Sequence, residues 1–480
     1  MHTKELKWTI FLITVVGNFL GMFDSTTVNL ALYAMSTDLG VSLSQIQWVV
    51  IAYMLILTVL LPFFGKLGDI LPKNKLYATG FSLFALGSFL NFTAHNFYLL
   101  VFYRCIEALG ASIMISNAPA IIASIFKSER RGKALGLNGC VVAIGGLSGP
   151  ALSGIIINFF GWHAIFLPSI PIALAGAYYA YKLLPSHVQH KGTFKFDYLG
   201  FAYFTVGIFA LLLAISEGHV WGWTSLKIIF LGFITLVFGT LFYLRDHHIN
   251  YPMINFKLFE IREFTFGNLA IMTSYMAMFT NSVLLPFYLQ EILLYSPMKT
   301  GLVVLSYAVV LSMTAPFAGR YAGRHGSKYI TLFGAAIYVL SLLMFITFNE
   351  ETSTLLIVLV SGFMGIGNGL FQSPSNNAIL SNVPKPELGV ASGILALSRN
   401  VGNILGVAIT ITLFASFKSH FLQANLLYNE AFLKSFHYTM GVGVLFAAAC
   451  FTLAFLAYKN EKVLPRKRKN QNAAARSKKH

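Results

Sequence analysis

The chain has 480 residues, of which 56% are hydrophobic and 11% charged, with a mean hydropathy of +0.69. Soluble domains carry roughly 25% charged residues, so a soluble globular protein is excluded. The net charge of +17 does not point to nucleic acid, because 28 of the 34 Lys/Arg fall in the tails and alternate loops on one side, 4 on the other and 2 inside apolar runs. That asymmetry is the positive-inside pattern of a polytopic helical membrane protein with both termini in the cytoplasm. Nine of the 28 lie in the tail 459–480, which has no interleaved aromatics and suits anionic lipid headgroups better than nucleic acid.

Apolar runs repeatedly reach the ~20 residues that a spanning helix needs. They predict fourteen spans: 9–35, 46–64, 76–93, 98–125, 134–158, 162–183, 198–216, 226–244, 264–289, 300–319, 329–348, 354–380, 388–415 and 437–458. The first has a short polar lead and no small-residue cleavage site, so it reads as a retained span and not as a signal peptide. It carries Asp24 near its middle. A carboxylate at bilayer depth costs several kcal/mol and is kept where it pairs, titrates or lines a water-filled path. Asn29 follows on the same span.

Span 2 ends in the basic turn Gly65-Lys-Leu-Gly-Asp69-Ile-Leu-Pro-Lys73-Asn-Lys75. Asp69 there can accept hydrogen bonds from a neighbouring helix N-terminus and act as a cytoplasmic latch, near Glu387; the plainer reading is a tight basic turn. Asn91-Phe-Thr93 fits a glycosylation acceptor, a short and common pattern. Span 4 holds Arg104-Cys-Ile-Glu107. Residues i and i+3 share a helix face, so the two either form a structural ion pair or tune the proton affinity of nearby acids. In span 5, Gly145-Gly-x-Ser-Gly149-Pro150-x-x-x-Gly154 gives a smooth face for close helix approach, with a proline that permits a bend.

After span 10, Gly319-Arg-Tyr-Ala-Gly-Arg-His-Gly-Ser-Lys328 echoes the turn after span 2, and each follows a span containing a proline, Pro62 or Pro316. This repeat predicts an N-terminal six-helix half (1–183), a linker with an inserted hairpin of spans 7 and 8 (184–263), a C-terminal six-helix half (264–458) and a basic cytoplasmic tail (459–480). Two similar halves around a midplane site describe a rocking secondary carrier. Asn138, Asn281, Tyr288, Gln290, Asn368, Gln372 and Asn376 either line its path or bond between helices. Arg399 reads first as a snorkelling or hydrogen-bonding structural residue, and second as a substrate or anion contact. With Asp24, Glu107 and Arg104 it balances the deep charges at two acids and two cations. A cavity built only for lipophilic cations would carry excess acid.

Cys105, Cys140 and Cys450 lie inside spans at unrelated spacings, as packing residues and not as a disulfide or metal framework. No phosphate loop is present, so ATP is not the energy source. Neither a nucleophile–base pair nor a metal-spaced His/Cys cluster stands out, so no enzyme, cofactor or metal is expected.

Four stretches carry a family resemblance. They are Asp24-x-Thr26-x-x-Asn29-x-Ala31-Leu32; Trp48-Val-Val-x-Ala-Tyr53 onward to Pro62 and Gly65; Leu285-Pro286-Phe-Tyr288-Leu-Gln290 with Ser296-Pro297-x-x-x-Gly301; and Val383-Pro384…Gly389-x-Ala391-Ser392-Gly393…Arg399-x-x-Gly402. In this order, with fourteen spans, the chain resembles the fourteen-span drug:H⁺ antiporter family of the major facilitator superfamily. Tyr33 departs from that family's proline, and Ile70, Pro72 and Asn74 depart from its loop signature, of which Gly65, Leu67, Asp69 and Lys73 remain. Glu107 stands where Gln is common.

The resemblance implies an all-α major facilitator fold of 14 transmembrane helices in a bacterial cytoplasmic membrane, working as a monomer on the proton gradient. It implies export of lipophilic drugs or related amphiphiles, with Asp24, Glu107 and Arg104 in proton coupling and the Gly145–Gly154 signature favouring antiport. Export or flipping of an endogenous lipid, lipid-linked precursor or metabolite stays open, and a non-transporting sensor is a more distant alternative.

Overall fold

The computed structural model describes residues 3–41, 43–126, 128–186, 197–249, 254–295, 297–384 and 387–458. The basic tail 459–480 lies outside them. Among the described residues there are fourteen helices of fifteen or more residues: α1 (Thr3–Asp38), α2 (Trp48–Ile70), α3 (Lys73–Phe92), α4 (Phe97–Ile125), α5 (Ser128–Phe160), α6 (Ser169–Leu183), α7 (Tyr198–Trp221), α8 (Leu226–His248), α9 (Arg262–Phe287), α10 (Pro297–His325), α11 (Lys328–Phe345), α12 (Thr354–Ser381), α13 (Leu388–Gln423) and α14 (Tyr428–Ala457). Several are started by a side chain that accepts orphan N–H groups: Asn96 before α4, Asp197 before α7, Ser225 before α8 and Ser353 before α12. A π-helical turn, Tyr288–Ile292, continues α9 just past Pro286.

Each predicted span falls on one of these helices, but among the described residues twelve are long and apolar enough to cross a membrane. The expected count of fourteen is corrected on that measure. The two outside the twelve are α3 and α5. Lys73, Asn74, Lys75, Ser88 and Asn91 dilute the apolar character of α3, whereas α5 carries an uncharged apolar run from Ala134 to Phe160 that is only partly covered by the described residues.

Helices α1 to α6 pack on one another, and so do α9 to α14. The two sets cross through glycines. A methyl group on Gly65 of α2 would lie 2.4 Å from the carbonyl oxygen of Gly389 on α13, and one on Gly132 of α5 would lie 2.1 Å from that of Gly319 on α10. One turn further on, a methyl on Gly393 would meet Leu61 O at 2.6 Å, and one on Gly136 would meet Ala315 O at 2.6 Å. The crossings are copies of each other: Leu61, Pro62 and Gly65 in one, Ala315, Pro316 and Gly319 in the other. All of them lie at the end that carries the basic turns 65–75 and 319–328. Cys140 Sγ adds a contact one turn deeper, donating to Ser312 O at 2.7 Å.

The α7–α8 pair stands apart from this repeat. Leu212 of α7 packs with Leu55 and Val59 of α2 and with Val401 and Ile404 of α13. The hairpin therefore lies over the joint between α2 and α13.

Candidate functional site

Asp24 from α1 meets Arg104 and Glu107 from α4 inside the first set. Arg104 Nη1 donates to Asp24 Oδ2 at 2.7 Å and to Glu107 Oε2 at 2.5 Å. Two residues of α3 complete the shell of Glu107: Ser88 Oγ donates to Oε1 at 2.5 Å and Asn91 Nδ2 to Oε2 at 2.7 Å. Tyr53 of α2 places its ring 4.2 Å from the guanidinium carbon, a cation–π distance. Arg104 and Glu107 are 0% exposed and Asp24 is 3% exposed. Two carboxylates share one guanidinium, so with both ionised the cluster holds one uncompensated negative charge. A proton would neutralise it.

The second set shows that packing alone does not require these charges. Gly110 packs on Gly80 O as Gly367 packs on Gly334 O. Three residues before Gly110 stands Glu107; three before Gly367 stands Met364. Ser361 takes the place of Arg104, and Leu342 and Phe345 those of Ser88 and Asn91. Asn281, whose Nδ2 donates to Met364 Sδ at 3.4 Å, takes that of Asp24. Leu342, Phe345 and Met364 are ordinary buried core.

The glycine-rich stretch of α5 lies directly behind the acid. A methyl on Gly149 would fall 2.1 Å from Thr26 Oγ1 and 3.0 Å from Phe23 O, and one on Gly145 would fall 2.9 Å from Phe19 O. Only glycine lets α5 lie this close to the Asp24 segment. Gly154, further on, is exposed, and the side chain of Pro150 is outside the described residues.

Asp69 lies against the N-terminus of α13. Its Oδ1 accepts from Gly389 N at 2.7 Å and its Oδ2 from Val390 N at 3.0 Å, so a carboxylate on α2 satisfies the first N–H groups of α13 across the two sets. Lys73 is buried nearby, and Glu387 accepts from Asn255 Nδ2 at 2.7 Å. Asp69→Ala is expected to cost about 1–2 kcal/mol, the usual value of a lost helix cap. It should raise cysteine labelling at the basic end while leaving ligand binding intact, and unchanged labelling would remove the latch role.

The other polar candidates are not brought to the acid cluster. Asn138 accepts from Asn18 Nδ2 at 2.7 Å, joining α5 to α1. Asn368 Nδ2 donates to Tyr307 at 2.7 Å, tying α12 to α10, and Tyr288 donates to Asn349 O at 2.6 Å, tying the π-helical turn to the loop between α11 and α12. Asn29 and Gln290 are exposed, Gln372 is partly exposed, and Asn376 is buried. Sequence reasoning missed Ser88 and Asn91 as ligands of Glu107 and Tyr53 as the partner of Arg104. The available signal was the i, i+3 pair of polar residues in an apolar run. The glycosylation reading of Asn91 is corrected, since its side chain is 0% exposed and holds Glu107.

Among the described residues, twelve membrane-length apolar helices, two matching six-helix sets that cross through glycines, and a buried charged cluster in the first set define a polytopic membrane carrier. The Major Facilitator Superfamily model matches residues 14–259 and 268–480, and the chain belongs to that superfamily. It is 35% identical over 426 residues to riboflavin transporter RibZ of Clostridioides difficile (strain 630), covering 89% of this chain and 90% of that protein. It is 28% identical to multidrug resistance protein Stp of Mycobacterium tuberculosis (strain CDC 1551 / Oshkosh), covering 86% and 78%. Its fold is similar to that of the proton:xylose symporter XylE, with a TM-score of 0.62 at 16% identity over 93% of this chain and 96% of the other.

Proposed function

We propose that this protein is a proton-coupled antiporter that exports lipophilic drugs or related amphiphiles across a bacterial cytoplasmic membrane. The observation that carries the reading is the Asp24–Arg104–Glu107 cluster: sealed, one negative charge in excess, and replaced by Asn281, Ser361 and Met364 in the matching set. A buried charge that packing does not require is kept for function. Glu107 is held from three sides and Asp24 leans on Arg104, so Asp24 is the group that accepts the proton. Protonation frees Arg104 from one partner and lets α1 shift against the glycine face of α5.

In this reading α3 and α5 also cross the bilayer, giving fourteen spans as two six-helix halves (1–183 and 264–458) with an inserted hairpin. Helix α3 lies along α4 from Gly80 to Gly87, and α5 runs along both α1 and α10, which supports it. Both termini are cytoplasmic, and the end closed by the glycine crossings is the inner one, so the carrier opens outward. It works as a monomer in the lipid bilayer, without cofactor, metal, nucleic acid or enzymatic step, on the proton gradient. The similarity to Stp favours multidrug export. The similarity to RibZ favours a second reading, movement of an endogenous aromatic metabolite by the same cycle.

The test is flux in proteoliposomes with an imposed pH gradient, using rhodamine 123 and riboflavin as cargo. Asp24→Asn is expected to abolish gradient-driven flux, at least a hundredfold, while the purified protein elutes as a folded monomer. Full gradient-driven flux in the mutant would remove Asp24 from the mechanism.

A further inference from the structure

The remaining deep cation, Arg399, is placed differently from Arg104. On α13, Gly389, Gly393 and Ala396 face α2: the two glycines meet Gly65 and Leu61, and Ala396 joins the core of Tyr53, Leu57 and Leu61. Ser398, Gly402 and Gly406 face α9, through Asn268, Met272 and Met276. Between these strips runs a third, marked by Ser392, whose hydroxyl donates to Ser116 O on α4. Arg399 is on this third strip, two turns beyond Ser392, because residues seven apart share a helix face. It therefore points between the two sets of helices, beyond the crossings that close the basic end.

Arg399 is partly exposed, and among the described residues it makes no ion pair and no hydrogen bond. The two acids in the interior, Asp24 and Glu107, are both already held by Arg104. The hydrogen-bonding structural role expected first for Arg399 thus has no partner to act on. A guanidinium at membrane depth is costly unless it faces water or a counter-group. Its planar fork matches carboxylates and paired carbonyl oxygens with two parallel hydrogen bonds.

We propose that Arg399 is the specificity-determining residue of the transport cavity. It binds the anionic or carbonyl-bearing edge of an aromatic amphiphile and disfavours a permanent cation on the same ring system. The inference rests on the carrier reading above but not on proton coupling at Asp24. In the substrate-bound state the acceptor edge of the cargo completes the ion pair that the protein leaves open.

The test uses two dyes that share the xanthene scaffold and differ in charge, fluorescein (anionic) and rhodamine 123 (cationic). Binding to the purified full chain is read by fluorescence polarisation for wild type, Arg399→Ala, Arg399→Gln, Arg399→Lys and Gly139→Ala. Wild type should bind fluorescein more tightly than rhodamine 123. Arg399→Ala and Arg399→Gln should weaken fluorescein at least tenfold and leave rhodamine 123 equal or tighter, and Arg399→Lys should recover part of the loss. Gly139→Ala, which meets nothing within 4 Å, should leave the affinity for both dyes unchanged, and binding is read at equilibrium without a pH gradient, so a failed proton-coupling test and a failed Arg399 test are read separately. The proposal is overturned if wild type does not bind fluorescein, if the Ala and Gln variants keep its affinity, or if they weaken both dyes alike. Should Arg399→Ala not fold, the Gln and Lys variants decide.

Discussion

A chain carrying Asp24→Asn, Ser88→Leu, Asn91→Phe, Arg104→Ser and Glu107→Met together is expected to fold and insert, yet to show no pH-gradient-driven flux. These are the residues that the second set carries at the matching places, Asn281, Leu342, Phe345, Ser361 and Met364, so the exchange gives the first set an interior already proven in the same molecule. Leu and Phe refill the volume that the guanidinium and its partners vacate, which avoids a large cavity. Replacing a buried ionic triad by well-packed apolar residues is often neutral or stabilising. Arg104→Ala alone should behave in the opposite way. It strands Glu107 and Asp24 in a closed interior, and breaking a buried pair costs about 3–5 kcal/mol. The measurement is the thermal midpoint and the folded fraction in detergent, followed by flux. If the five-residue exchange is as poorly folded as Arg104→Ala, the two sets are not equivalent at this level and the inference from their comparison fails.

The second large effect is steric. Gly132→Val and Gly389→Val are expected to lower flux at least a hundredfold and to hold the protein open at its basic end. A Cβ on either residue would lie 2.1 Å from a backbone oxygen, that of Gly319 or of Gly65. Backbone cannot swing aside as a flexible side chain can, so the two sets must stay apart. Spin labels on the exposed positions Lys75 and His325 should report a longer distance than in wild type. Gly139→Ala, on the same helix as Gly132, meets nothing within 4 Å, and should leave both flux and distance unchanged. An unaltered distance in the valine variants would mean that the glycine crossings do not gate.

The parts of this protein that were legible in its sequence are those with a strong local signal. Long apolar runs marked every helix, and rare charges inside them marked Asp24, Arg104 and Glu107. The echo of Gly65–Lys75 in Gly319–Lys328 marked the repeat, which reappears as the paired glycine crossings. Ser88, Asn91 and Tyr53 stayed invisible because neutral polar residues are common in spans, and nothing local shows that helices far apart in sequence will meet. Those same polar residues help to keep α3 out of the twelve clearly apolar helices. Asp69 was legible as an acid at a helix end, and the structure supplies its partners, the N–H groups of Gly389 and Val390. For Arg399 the sequence left a structural and a cavity reading side by side, since it cannot show which groups a cation will face.

The α7–α8 hairpin bears on how a molecule dissolved in the membrane could get in. The two sets meet most closely along two joints, α2 with α13 and α5 with α10. The first has an extra pair of helices laid over it, through Leu212; among the described residues no helix from outside the two sets packs over the second. In the carrier reading proposed above, the hairpin walls the first joint off from the hydrocarbon and leaves the second bordered by the two sets alone.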